Sequence, residues 1–116
     1  MARPRSTPVS SLPFDASRDH RITREEAASL VQAFQSQAGA DEHRASAFNR
    51  SAFEQLLAQP GAAGIRIYRA QHPDGSPAMT LVAVDQDGTD LDGPGCVFIQ
   101  NGHECPPFCV GARLNG

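Results

Sequence analysis

Lysine is missing from this chain: all ten basic residues are arginine. Tryptophan is absent too, and Tyr68 is the one tyrosine. With so few flat side chains to stack on bases, and a net charge of −3, the composition argues against a nucleic-acid partner. No apolar run approaches the ~20 residues that a membrane-spanning helix needs. The longest, Leu81–Val84, is strand-sized. The N-terminal stretch has arginines and prolines but no apolar segment of the kind a secretory signal requires. That predicts a protein of the reducing cytoplasm, away from membranes. Cysteine occurs three times, so any disulfide scheme leaves one thiol over.

The 116 residues, 40% hydrophobic and 20% charged, suit a single soluble domain with one modest core. Charge is unevenly spread. Arg3, Arg5, Arg18, Arg21 and Arg24 crowd the start, whereas Ala70 to Ala112 holds no arginine and gathers Asp74, Asp85, Asp87, Asp90, Asp92 and Glu104. Residues 1–20 combine three prolines, many serines and few large apolar groups, which predicts a flexible arm with Val9, Leu12 and Phe14 as its only docking groups. Residues 21–116 then form the single domain.

Thr23 and Glu26 have the spacing of a capping box, and Ala27, Leu30, Val31, Phe34 and Ala38 follow at helical spacing up to Gly39. This predicts a helix over 24–38 with that stripe buried. A second box, Ser51 with Glu54, predicts a helix over 52–59 burying Phe53, Leu56 and Leu57 and ending at Pro60-Gly61. The polar connection 40–50 has Phe48 as its one anchor. After Gly64 the period changes to two: Ile65 and Ile67 alternate with Arg66 and Tyr68. His72-Pro-Asp-Gly-Ser-Pro77 has turn chemistry, and Met79–Val84 is almost wholly apolar, as a central strand would be. Cys96–Gln100 reads as a third strand. The expected fold is α+β: two N-terminal helices packed on one face of a three-stranded antiparallel sheet, with a flexible N-terminal arm and a Pro-Pro C-terminal tail.

Gly64-Ile-Arg-Ile-Tyr68, Val84-Asp85 followed by Gly88 and Asp90, and Cys105-Pro-Pro-Phe-Cys109 together resemble a family of small uncharacterised bacterial proteins. The resemblance spans roughly residues 22–110. It implies a single-domain soluble protein and no particular activity. Ala83 stands where the pattern leads one to expect Gly.

The chemistry concentrates in Asn101-Gly-His-Glu-Cys-Pro-Pro-Phe-Cys109. Cys96, His103, Cys105 and Cys109 make a Cys₃His set of the kind zinc accepts. Their spacing is poor for it, because Pro106 and Pro107 have no N–H to bond a ligating sulfur. Cys105 and Cys109 can instead close a disulfide, or one of them can be a thiol activated by His103. The plainest outcome is a stiff tail across the sheet, anchored by Phe108 and Val110 beside reduced cysteines. His20, His43 and His72 stand alone in polar segments and read as solvated.

Two functional classes follow. The first, favoured because no convergent catalytic set is visible, is a non-catalytic binding or self-assembly module with no cofactor. Its partner is a protein or a second copy, met through Arg66, Tyr68 and Phe108. The second is a metal- or thiol-dependent protein centred on Cys96, His103, Cys105 and Cys109.

Overall fold

The computed structural model describes residues 14–115. Helix α1 (Arg24–Gln35) leads into strand β1 (Ala45–Ala47) and helix α2 (Arg50–Leu57). Strands β2 (Gly64–Gln71), β3 (Pro77–Val84), β4 (Phe98–Ile99) and β5 (His103–Cys105) follow, and a 3₁₀ turn occupies Arg113–Asn115. The class is α+β, but there are two sheets: an antiparallel β2–β3–β4 sheet and a separate β1–β5 ribbon. The expectation of two N-terminal helices on one face of a single three-stranded sheet is therefore overturned. Its physical cause is the connection read as polar linker, which supplies β1 and pairs with the C-terminal segment.

The meander's registers set its two faces. Ile65 lies opposite Ala83, Ile67 opposite Leu81 and Arg69 opposite Met79, so these six side chains share one face. Arg66, opposite Val82, and Tyr68, opposite Thr80, share the other. The β2–β3 turn is held by Asp74, whose Oδ1 accepts from the Ser76 amide at 2.9 Å and its hydroxyl at 2.6 Å. Leu81, Val82, Ala83 and Val84 are all buried, as a central strand covered on both faces requires. The third strand is shorter than expected, reduced to Phe98–Ile99.

The core forms where α2 crosses the first of these faces. Leu56 is fully buried with Leu81 and Ala83, and Phe48, Phe53, Ile65, Val97 and Ile99 pack around them. Gln59 pins the helix end by accepting the Val97 amide at 2.7 Å. The cap is not the predicted Ser51–Glu54 box: Asn49 is the N-cap, its side chain accepting the Ala52 amide. The helix thus starts earlier, and Leu57, at its last turn, is exposed rather than buried.

Helix α1 begins as predicted, with both halves of the Thr23–Glu26 capping box formed. Its C-cap is Ser36 rather than Gly39. Its packing differs more. The helix lies against the 3₁₀ turn at Arg113–Asn115, not on the sheet. The partly covered positions are Ala27, Ala28, Val31 and Gln35, while Leu30 is 67% and Phe34 48% exposed. The predicted stripe is rotated outward by about one position. Among the described residues no helix is long and apolar enough to cross a membrane.

Of the arm's three expected docking groups, Val9 and Leu12 lie outside the described residues, and Phe14 rests on the sheet end: a Cβ on Gly88 would meet its Cβ at 2.6 Å, and one on Gly64 its Cζ at 3.2 Å. Gly102, between β4 and β5, is the comparable case. A Cβ there would come within 2.7 Å of the Phe48 ring, which lies flat over the backbone.

Leu56→Ala should cost about 2–5 kcal/mol in urea denaturation, while Leu30→Ala, measured where the chain is monomeric, should stay within about 0.5 kcal/mol. Equal losses would mean that α1 is buried like α2. Gly102→Ala should destabilise by about 1–3 kcal/mol, because the methyl group displaces Phe48 from the core edge. A Phe48→Ala background should recover most of that loss.

Candidate functional site

The ribbon sets the first constellation. In its register Ser46 lies directly opposite Glu104, so their side chains share one face, and His43 reaches them from the loop before β1. His43 Nε2 is 2.9 Å from Ser46 Oγ and 2.9 Å from Glu104 Oε1, and the Ser46 hydroxyl donates to the same Glu104 oxygen. The imidazole and carboxylate side chains are only 18% and 19% exposed. Glu104 Oε2 is buried without a hydrogen-bond partner among the described residues. His43, read from sequence as solvated, is thus part of a closed polar ring.

Ser, His and Glu in contact invite comparison with an acyl-transfer triad, and the geometry departs from one. In a triad the two ring nitrogens serve different partners, and the one facing the serine takes its proton. Here one nitrogen, Nε2, faces both oxygens, and the serine proton already points at the carboxylate. The arrangement ties residues 43–46 to β5, with the imidazole and the serine hydroxyl both turned to one oxygen of Glu104.

Beyond Glu104 the chain turns back on itself. The Cys105–Pro106 and Pro106–Pro107 bonds are both cis, the Phe108 amide bonds to the Glu104 carbonyl at 2.8 Å, and Cys105 and Cys109 are joined in a disulfide. Cys105 is buried. His103 meets Phe108 edge-on at 6.1 Å between ring centroids. Cys96 is the free thiol, partly exposed after the turn at Gly93. The four residues considered as zinc ligands are therefore dispersed: two share the disulfide, one stacks on a ring and one stands apart. Among the described residues no group of three or more His, Cys, Asp or Glu is placed to hold a metal ion. Phe108 is 66% exposed and Val110 fully so, which means that neither anchors a tail across the sheet.

On the opposite face of the meander, Asp90 gathers the two residues expected to act as free surface determinants. Arg66 Nη1 donates to its Oδ1 and the Tyr68 hydroxyl to its Oδ2, each at 2.5 Å. The Tyr68 hydrogen bond, followed by the Arg66 bond and charge, holds the Asp90 carboxyl below its ordinary 3.8. Asp90 in turn raises the Tyr68 phenol above its ordinary 10.0. Asp90 sits one bridge from the sheet, paired with Val84.

Cavities open beside the ribbon, and two of them lie against β2 and β3. One, about 500 Å³, lies between Phe34 of α1, His43 and Arg44 of the loop, and Arg69 and Met79 of the sheet. The other, about 390 Å³, is walled by Phe48, Phe53, Ile67, Met79 and Leu81, with Ser46 at its edge. Nothing in the sequence ties positions 43–46 to 104 or to the sheet, because the two halves of the ribbon lie almost 60 residues apart.

No protein-family model matches this chain, and neither curated proteins nor solved structures show a significant likeness to it.

His43→Ala should destabilise by about 1–3 kcal/mol, since it leaves a partly buried carboxylate short of a donor. A His43→Ala/Glu104→Ala double variant should lose less than the sum of the single losses if the ring is one coupled unit. The second cluster predicts a pH signature. Asp90 contributes stability above the ordinary carboxylate range that is lost as pH falls through its lowered folded value. Tyr68 contributes below its ordinary value and loses that share as pH rises through the raised one. Because Tyr68 is the only tyrosine, absorbance titration reads it directly. The midpoint should lie above 10.0 and return toward it in Asp90→Asn.

Proposed function

We propose that this chain is a non-catalytic binding module that associates with a second copy of itself or with a protein partner through the outer face of α1. The observation that carries the reading is the exposure of Leu30 and Phe34. Their i, i+4 spacing puts them side by side on one helix face, and Ile22 before the helix is more than half exposed as well. A helix this amphipathic normally owes its stability to a buried apolar face rather than to propensity. Here that face lacks cover within the described residues.

Clustered exposed apolar side chains are the usual mark of an interface in soluble proteins. Tyr68 and Phe108 add exposed aromatic groups of the kind enriched at hot spots, with Arg66 beside Tyr68. The closed geometry around Ser46 favours a structural polar ring over a nucleophile, which is why a binding role ranks above catalysis.

Sedimentation velocity over a concentration series tests this. The wild-type chain should sediment as a dimer or larger species, insensitive to salt because the contact is apolar. A Leu30→Glu/Phe34→Gln chain should run as a folded monomer. A wild-type protein that stays monomeric up to about 100 µM, and binds no partner that the double substitution abolishes, would sink the reading.

A further inference from the structure

We propose that the groove between α1 and the β2–β3 sheet binds an organic monocarboxylate with an unbranched apolar tail, its head on Arg69 beside Arg44 and its tail along Met79, Ile67 and Leu81. This inference concerns a small molecule and does not rest on association through α1, although Phe34 borders the groove as well as the helix face.

The head-group end comes from two arginines that line the same cavity. Arg44 Nε is buried and has no acceptor among the described residues. Arg69 likewise has no side-chain hydrogen bond or ion pair among them. Arg44 Nε is itself closed to the cavity, so the head sits beside Arg44 and on the exposed Arg69 guanidinium, whose planar fork matches the two oxygens of a carboxylate. Asp41 and Glu42 border the same groove, and Glu42 already accepts the Gly39 amide at 3.1 Å. Their charges make the mouth unsuited to polyanions. One carboxylate, held by geometry and an apolar contact, is the anion that suits it.

The tail end comes from the register. Arg69 and Met79 are paired on the same sheet face as the next pair along, Ile67 and Leu81. Same-face pairs on a strand are about 7 Å apart. Met79 lines both cavities, so the second lies one pair deeper along that face than the first. The volumes, about 500 and 390 Å³, are in the range of small-molecule sites. The one polar group at the edge of the deeper cavity, the Ser46 hydroxyl, is taken by Glu104 and His43. That cavity therefore suits a chain of methylene groups rather than a second polar head.

Octanoate is the probe, with 1-octanol as its uncharged counterpart and acetate as the head without a tail. Calorimetry on the full chain should show saturable binding of one octanoate, with octanol and acetate at least about tenfold weaker. Amide shifts should move at Arg69, Met79 and Ile67. Arg69→Gln and Ile67→Gln both fall at exposed positions, and each should weaken octanoate by about tenfold while leaving the melting temperature in place. The proposal is overturned by absence of saturable octanoate binding up to about 10 mM, by equal affinity for octanol, by undiminished binding in Arg69→Gln, or by shifts confined to another surface.

Discussion

The pairing of Ala45–Ala47 with His103–Cys105 is the contact on which the rest of the architecture depends. Only three residue pairs long, it closes the chain between its first helix and its last turn. Closure brings Ser46 opposite Glu104, delivers His43 to both, sets Phe48 over Gly102, and walls the two cavities against the sheet. A ribbon so short cannot persist on its own in water. It is supported at one end by the core around Leu56 through Phe48, at its centre by the polar ring, and at the other end by the disulfide at Cys105.

The support is distributed because the apolar core is small. Among the described residues, full burial of large side chains is confined to Leu56, Leu81 and Val84, so hydrophobic packing fixes α2 on the sheet and little more. Polar groups hold the outlying parts. Asp90 ties the chain after the β3 turn to Arg66 and Tyr68 on one face, while Glu104 ties the ribbon to His43 on the other. Both are single carboxylates that take hydrogen bonds from two side chains, an economical way to fix loops that carry few apolar residues.

The meander was legible in the sequence because its signals are local. Alternation from Ile65 to Tyr68, the Asp74-Gly75 turn and the apolar run to Val84 each act within a few residues, and all three appear where the pattern puts them. The capping box at Thr23 is of the same kind. The ribbon was not legible, since Ala-Ser-Ala carries no strand signal and its partner is remote. The buried face of α1 also escaped the pattern: periodicity identifies an apolar stripe but not what covers it, and Leu30 and Phe34 turn outward. At the site, the Cys105–Cys109 pairing was one of several outcomes open to the motif. The His43–Ser46–Glu104 ring depends wholly on tertiary placement, as does the engagement of Arg66 and Tyr68 by Asp90.

The flat stacking of Phe48 on Gly102 links two positions in a way that bears on how such a chain can change over generations. Neither residue is replaceable alone: a side chain at 102 strikes the ring, and a smaller group at 48 opens a void over bare backbone. Passage from this pair to another, such as a small residue facing an alanine, runs through an intermediate worse than either end. Positions 48 and 102 are therefore bound to drift together, and in diverged copies of this fold their joint variation would mark the ribbon's closure even where the three-residue strands themselves have become unrecognisable.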